Sequence, residues 1–214
     1  MDDGAGDVRA AREKDVTEFL GPLITFAVAT SVTPGPNNIM LTASGANFGF
    51  RRTIPHLLGV AIGFTIMVAT IGLGLSEIFE RFPAIHQVLR YGGSAYLLYL
   101  AYRIATAAPA ARDSAQTAAR PLGFLQAALF QWVNPKGWMM AVGAISTYTT
   151  VGGDLMLESV AIALIFGAIG LPSAALWAAL GAAIGRLLQA RWALRAFNIA
   201  MALLLVASLA LMFV

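Results

Sequence analysis

The 214-residue chain is 58% hydrophobic and only 12% charged, with 14 Lys/Arg against 11 Asp/Glu and a mean hydropathy of +0.74. Soluble domains carry about 25% charged residues, so this is the composition of an integral membrane protein with no soluble domain left over. No cysteine is present and only two histidines, which excludes disulfides, thiol redox chemistry and thiolate metal sites and leaves no expected metal or cofactor. The pI of 9.6 does not point to nucleic acid. The arginines sit in short loops between apolar runs, where they set orientation and meet anionic lipid head groups.

Residues 1–18 are polar and charged, with no apolar core, and read as an N-terminal tail rather than a signal peptide. The first apolar span covers residues 19–46 and is interrupted by Thr33-Pro34-Gly35-Pro36-Asn37-Asn38. Pro34 and Pro36 lack an N–H, so the carbonyls of Thr30 and Val32 lose their helical donors. In lipid such a break must face protein or a water-filled cavity, which makes it a candidate binding site.

A loop with Arg51 and Arg52 leads to a second span over 56–75, holding the pair Gly59/Gly63. His56, at its start, is expected at the membrane interface. An amphiphilic segment over 77–90 precedes a third span over 85–104, whose Tyr96, Tyr99 and Tyr102 are expected to mark an interface. Residues 105–122 read as a loop. The fourth span, 123–148, carries a second break at Asn134-Pro135-Lys136-Gly137. The fifth covers 156–184 with Pro172 near its middle, and the sixth covers 192–214, is nearly featureless and is expected only to pack. The pairs Gly59/Gly63 and Gly181/Gly185 could serve packing inside the fold or a homodimer, and internal packing is the expectation.

The two halves, 19–104 and 123–214, read as a repeat. Aligning Thr33-Pro34 on Asn134-Pro135 sets Thr30, Thr33 and Asn37 against Gln131, Asn134 and Trp138, each set spaced i, i+3, i+7 on one helical face. Gly59-Val60-Ala61-Ile62-Gly63 similarly rhymes with Gly167-Ala168-Ile169-Gly170. Three spans per half is odd, so the repeats would be inverted, with the site where the breaks meet at the midplane. The expected fold is an all-α membrane protein of six transmembrane helices in two inverted three-helix repeats, helices 1 and 4 being broken. The Lys/Arg distribution places 105–122 in the cytoplasm and both termini outside.

On these residues the chain resembles the LysE/RhtB family of bacterial amino-acid exporters. The resemblance rests on Thr33 to Asn38, Gly49-Phe50-Arg51-Arg52, Leu58-Gly59 to Gly63, Gly92-Gly93-Ser94-Ala95-Tyr96-Leu97 and Asn134-Pro135-Lys136. Within the family it is most similar to exporters of cysteine and O-acetylserine, and next to those of threonine and homoserine. The resemblance implies efflux of small neutral amino acids or derivatives across the bacterial inner membrane, in antiport with protons. The charged tail departs from the family pattern. Asn37 stands where some relatives carry an acid, so the resemblance assigns no proton carrier.

Lys136 is the one charge near the centre of a span, where a lysine costs about 2.5–3.5 kcal/mol on insertion scales. It is the candidate partner of a substrate carboxylate and the candidate proton-coupling group, against the plainer reading that it snorkels or binds freed carbonyls, that of Gln131 included. Asn37, Asn38 and Asn134 can donate and accept hydrogen bonds and suit a small zwitterion, or else cap the helix restarts. The carbonyls of Thr30 and Val32 are candidate acceptors for a substrate ammonium. The candidate substrate-binding set is thus Thr30, Thr33, Pro34, Gly35, Pro36, Asn37 and Asn38 from the first break, and Gln131, Asn134, Pro135, Lys136 and Trp138 from the second. The alternative is export of another small metabolite or toxic compound on the same fold. The spans hold no Ser–His, paired-Asp or Cys-x-x-Cys arrangement, so an enzyme is not expected.

Overall fold

In hydrocarbon the backbone has no partner but itself, so a chain of long apolar runs is driven to helix. The computed structural model describes residues 19–75, 83–107, 120–150 and 153–212, and among these residues every regular element is helical. The N-terminal tail, the front of the 77–90 segment and most of the 105–122 loop lie outside the described residues.

The elements are α1 (Phe19–Val32), α2 (Pro36–Phe48), α3 (Phe50–Thr70, extended by a wide turn over Ile71–Leu75) and α4 (Pro83–Ala105). There follow α5 (Phe124–Phe130, ending in a tight turn over Gln131–Val133), α6 (Pro135–Tyr148), α7 (Leu155–Leu187) and α8 (Arg191–Ala207, with a tight last turn over Ser208–Met212). The stretches Phe50–Gly74, Leu155–Leu187 and Arg191–Ala210 are long and apolar enough to cross a membrane. α1 and α5 are shorter apolar helices that stop at the two proline motifs. Large apolar side chains such as Leu73, Leu98, Leu125 and Leu164 stand exposed on the helix surfaces. That suits a protein whose outer solvent is lipid.

α2 is the buried axis. From Asn38 to Gly45 every residue is buried, although its sequence shows no apolar stripe. Glycines let its backbone lie directly on α7. A Cβ at Gly45 would overlap the carbonyl of Ala178, one at Gly181 the carbonyl of Thr42, and one at Gly185 the carbonyl of Ala46. On α3, a Cβ at Gly59 would stand 2.8 Å from the methyl of Ala127, and one at Gly63 only 2.5 Å from Cα of Ala128. Both Gly-x-x-x-Gly pairs therefore pack inside the fold. Gly167 abuts the hydroxyl of Thr65, whereas Gly170 abuts nothing, so that pair is not used as Gly59/Gly63 is.

The core divides into two clusters. One gathers Leu41, Leu57, Leu97, Phe130 and Leu205, the other Leu23, Met67, Ala141, Ile162 and Phe166.

Three expectations need correction. His56 is fully buried, not interfacial, because α3 begins at Phe50 and turns the ring onto α2, where Nδ1 lies 3.0 Å from Oγ of Ser44. Tyr96 packs into the core against Phe130, ring centroids 6.1 Å apart, while Tyr99 and Tyr102 are exposed. The last span is not featureless. Asn198 of α8 is fully buried and exchanges two side-chain hydrogen bonds with Asn47 of α2, at 2.7 and 2.9 Å, and also donates to the carbonyl of Ala107. Removing one member of a buried amide pair strands the other, at about 1–3 kcal/mol. Asn198→Leu should lower the Tm of the purified protein accordingly. Asn47→Leu in the same chain should add less than its own single effect, because the stranded partner is then gone.

Candidate functional site

The first break is built from what proline lacks. With no N–H at Pro34 or Pro36 the helix stops, and side chains tie three of its last carbonyls. Asn38 sends both amide hydrogens back to the carbonyls of Ser31 (2.9 Å) and Thr33 (2.8 Å), and Thr33 Oγ1 donates to the carbonyl of Thr30 (2.9 Å). Ser173 of α7 donates a further bond to the Ser31 carbonyl (2.9 Å). Asn38 therefore closes the end of α1 and does not cap the start of α2. In the second break Pro135 leaves the Gln131 carbonyl to the N–H of Asn134 at 3.2 Å, a tighter i+3 turn.

Helix restarts at Pro36 and Pro135, each in the first helical position. The breaks thus correspond at Pro36 and Pro135, two residues from the Pro34/Pro135 register, and this sets Asn37 against Lys136. Each restart leaves its first N–H groups, those of Asn37 and Asn38 and of Lys136 and Gly137, without a helical acceptor.

The breaks meet around a cavity of about 60 Å³, room for a few water-sized groups. One wall is polar, from Thr30, Ser31, Asn37, Asn38, Asn134 and Lys136. The other is apolar, from Val60, Ala61, Phe64, Met140, Phe166 and Ala174, and draws on both core clusters. The rings of Phe64 and Phe166 meet edge to face at 5.5 Å, and Phe26 packs edge-on to Phe166 at 6.2 Å. Asn37 and Gln131 join the two breaks through reciprocal side-chain bonds of 2.8 and 3.2 Å. Asn134 Oδ1 is buried and without a partner among the described residues.

Lys136 crosses from the second break to the first. Its ammonium donates to the Thr33 carbonyl (2.6 Å), Thr33 Oγ1 (2.8 Å) and the Pro34 carbonyl (3.3 Å). The only acids among the described residues are Asp154 and Glu158, at the start of α7. Lys136 is thus a cation held by neutral oxygens beside a cavity.

A family model for LysE type translocators matches residues 28–214. The chain belongs to that family. The translocator is 34% identical over 189 residues to the cysteine/O-acetylserine efflux proteins of Escherichia coli O1:K1 and of strain K12, spanning 88% of this chain and 94% of each relative. The protein of that name from Shigella sonnei aligns equally well. No solved structure matches the chain. Membership of a translocator family, with three helices among the described residues long and apolar enough to cross a membrane, makes this a multi-pass membrane transporter and not an enzyme.

Of the residues singled out in the translocator's sequence, Thr30, Gly35, Asn37, Asn38, Asn134 and Lys136 line the cavity. Thr33 and Pro34 hold the lysine, and Gln131 braces Asn37. Pro36 is buried and Pro135 half-buried, each opening a helix. Trp138 does not line the cavity. Its indole N–H donates to the Trp132 carbonyl at 2.8 Å, and the two rings lie 6.3 Å apart. The Thr30 carbonyl, expected to be free, is taken by Thr33. Lys136 binds carbonyls of the other break and not that of Gln131. The sequence reading did not single out Ser31, Ser173, Phe64, Met140, Phe166 or Ala174 for the site. Val60 and Ala61 entered it only through the Gly59–Gly63 motif, and Pro172 stood directly before Ser173.

Proposed function

We propose that this translocator exports small neutral amino acids or close derivatives, of the cysteine/O-acetylserine or threonine/homoserine type, across the bacterial inner membrane in antiport with protons. The observation that carries the reading is Lys136. It is a cation without a carboxylate among the described residues, at a cavity onto which two helix N-termini also open. A substrate carboxylate supplies what that arrangement lacks, since helix N-termini and an ammonium both attract anions. Asn134 Oδ1 offers an unused acceptor to a polar substrate group. The apolar wall behind them limits the substrate's side chain to a short one. The names of the efflux relatives support the same class.

In this reading α1–α2 and α5–α6 are two interrupted spans among six, arranged as inverted three-helix repeats over 19–104 and 123–214. The 105–122 loop is cytoplasmic and both termini lie outside. Lys136 is the group to which this reading assigns the coupled proton.

Counterflow in proteoliposomes with a panel of labelled amino acids tests the proposal. Saturable exchange of a small neutral amino acid, with large apolar and acidic ones excluded, is the expected result. Absence of exchange across the whole panel, in protein with a cooperative thermal transition, removes amino acids as cargo.

A further inference from the structure

Lys136 shows what its binding place is made for. A primary ammonium has three N–H donors, and this one meets three oxygens, none of them a carboxylate. The oxygens are fixed before any cation arrives. Asn38 anchors the Thr33 carbonyl from α2, and the Thr33 hydroxyl gives its hydrogen to Thr30, which turns its lone pairs toward the cation. Gly35 provides the floor. Its φ of −176° is open to any residue, so conformation does not require glycine. Space ties it to the lysine: a Cβ there would stand 2.5 Å from Cδ and 3.2 Å from Nζ of Lys136, so the lysine chain would have to shift. When the lysine leaves, it vacates a groove over Gly35 that ends in three preset acceptors.

We propose that this cradle is the subsite for the substrate's own ammonium group, and that Lys136 is a tethered occupant exchanged for it on loading. The inference rests on the amino-acid export reading above. An arriving amino acid carries both groups the swap needs. Its carboxylate gives Lys136 a new partner, and its ammonium takes over the carbonyls of Thr33 and Pro34. Neither the lysine nor the carbonyls are left bare at membrane depth, where unsatisfied polar groups are costly. A carboxylate without an amine would strip the cradle, and an amine without a carboxylate would strand the lysine, so the exchange selects for ligands bearing both charges.

The test vacates the cradle. Purified full-length Lys136→Ala protein is titrated with ethylammonium chloride while its thermal transition is followed. Saturable stabilisation at concentrations at least tenfold below any effect on wild type is expected, with none from tetramethylammonium, which has no N–H to donate. Equal responses of wild type and variant, or an equal response to the two cations, overturn the swap. If Lys136→Ala does not fold, Gly35→Ala gives the second measurement: its Cβ occupies the groove, so amino-acid counterflow should fall at least tenfold, and unchanged counterflow overturns the proposal. Wild-type amino-acid exchange without an ethylammonium response in the variant sinks the cradle alone. An ethylammonium response without any wild-type exchange supports the cradle as an ammonium site and removes amino acids as its ligand.

Discussion

Lys136→Met should abolish amino-acid exchange while leaving the protein folded, with transport lowered on the order of 100-fold or more. A hydrogen-bonded contact to a charged group contributes about 1.5–3 kcal/mol, and removing one partner of a desolvated ion pair costs about 3–5 kcal/mol. Each 1.4 kcal/mol is tenfold in binding, so the lower part of that range already gives the stated loss. Folding is a separate matter, because two effects oppose one another. The substitution removes a lysine that costs about 2.5–3.5 kcal/mol at mid-depth, and it also removes three hydrogen bonds to Thr33 and Pro34. The Thr33 carbonyl keeps its bond from Asn38, so the first break retains its own support once the ammonium is gone. A thermal transition within a few degrees of wild type, with counterflow lost, is the expected pair of results. Lys136→Arg should not restore transport: the planar guanidinium is wider than an ammonium and meets the same narrow groove over Gly35. Proton-driven efflux that continues unchanged in Lys136→Met would remove the lysine from coupling.

The breaks were legible because their cause is local. A proline lacks its N–H wherever it stands, and two prolines with a glycine inside an apolar run mark an interruption without any tertiary knowledge. Lys136 was legible for a similar reason, as a lone charge in a long apolar stretch. The glycine pairs declared close packing, and the structure supplies the partners, α5 for one pair and α2 for the other. Where the first break restarts its helix was not legible. Two prolines flank Gly35, and only the observed restart shows that Pro36, not Pro34, opens the helix. The apolar wall was hidden for a different reason. Phe64 and Phe166 sit in spans that are apolar on every side, so nothing in α3 or α7 distinguishes a cavity-facing ring from a lipid-facing one. Asn47 and Asn198 are 151 positions apart; alone, one is an ordinary polar residue near the end of α2 and the other a lone amide inside α8. His56 was misplaced because the arginines before it suggested an interface. The turn at Gly49 instead starts α3 early enough to carry the ring inside.

Gly181→Leu should remove most of the folded protein. Inserting methylenes into a packed core costs about 1–3 kcal/mol where neighbours can yield. Here the obstacle is backbone: a Cβ at Gly181 overlaps the Thr42 carbonyl and lies 2.8 Å from the Cα of the same residue. Neither helix can yield alone. Gly45 and Gly185 hold the same two helices together about one turn away, and most of α2 is buried. Separating α2 from α7 at Thr42 would also force Asn38 or Ser173 off the carbonyl of Ser31, which both of them hold. The expected loss is therefore about 3 kcal/mol or more, seen as a collapse of monodisperse yield and of the thermal transition. Gly92→Ala is the matched contrast. Gly92 lies in α4 with nothing within 4 Å of its missing Cβ, and replacing a helical glycine there should stabilise the protein by about 0.5–1 kcal/mol. If Gly181→Leu folds and transports as wild type does, α2 and α7 are not held at glycine distance. The first break would then owe its shape to its prolines and the bonds of Asn38 and Thr33, without the grip of α7.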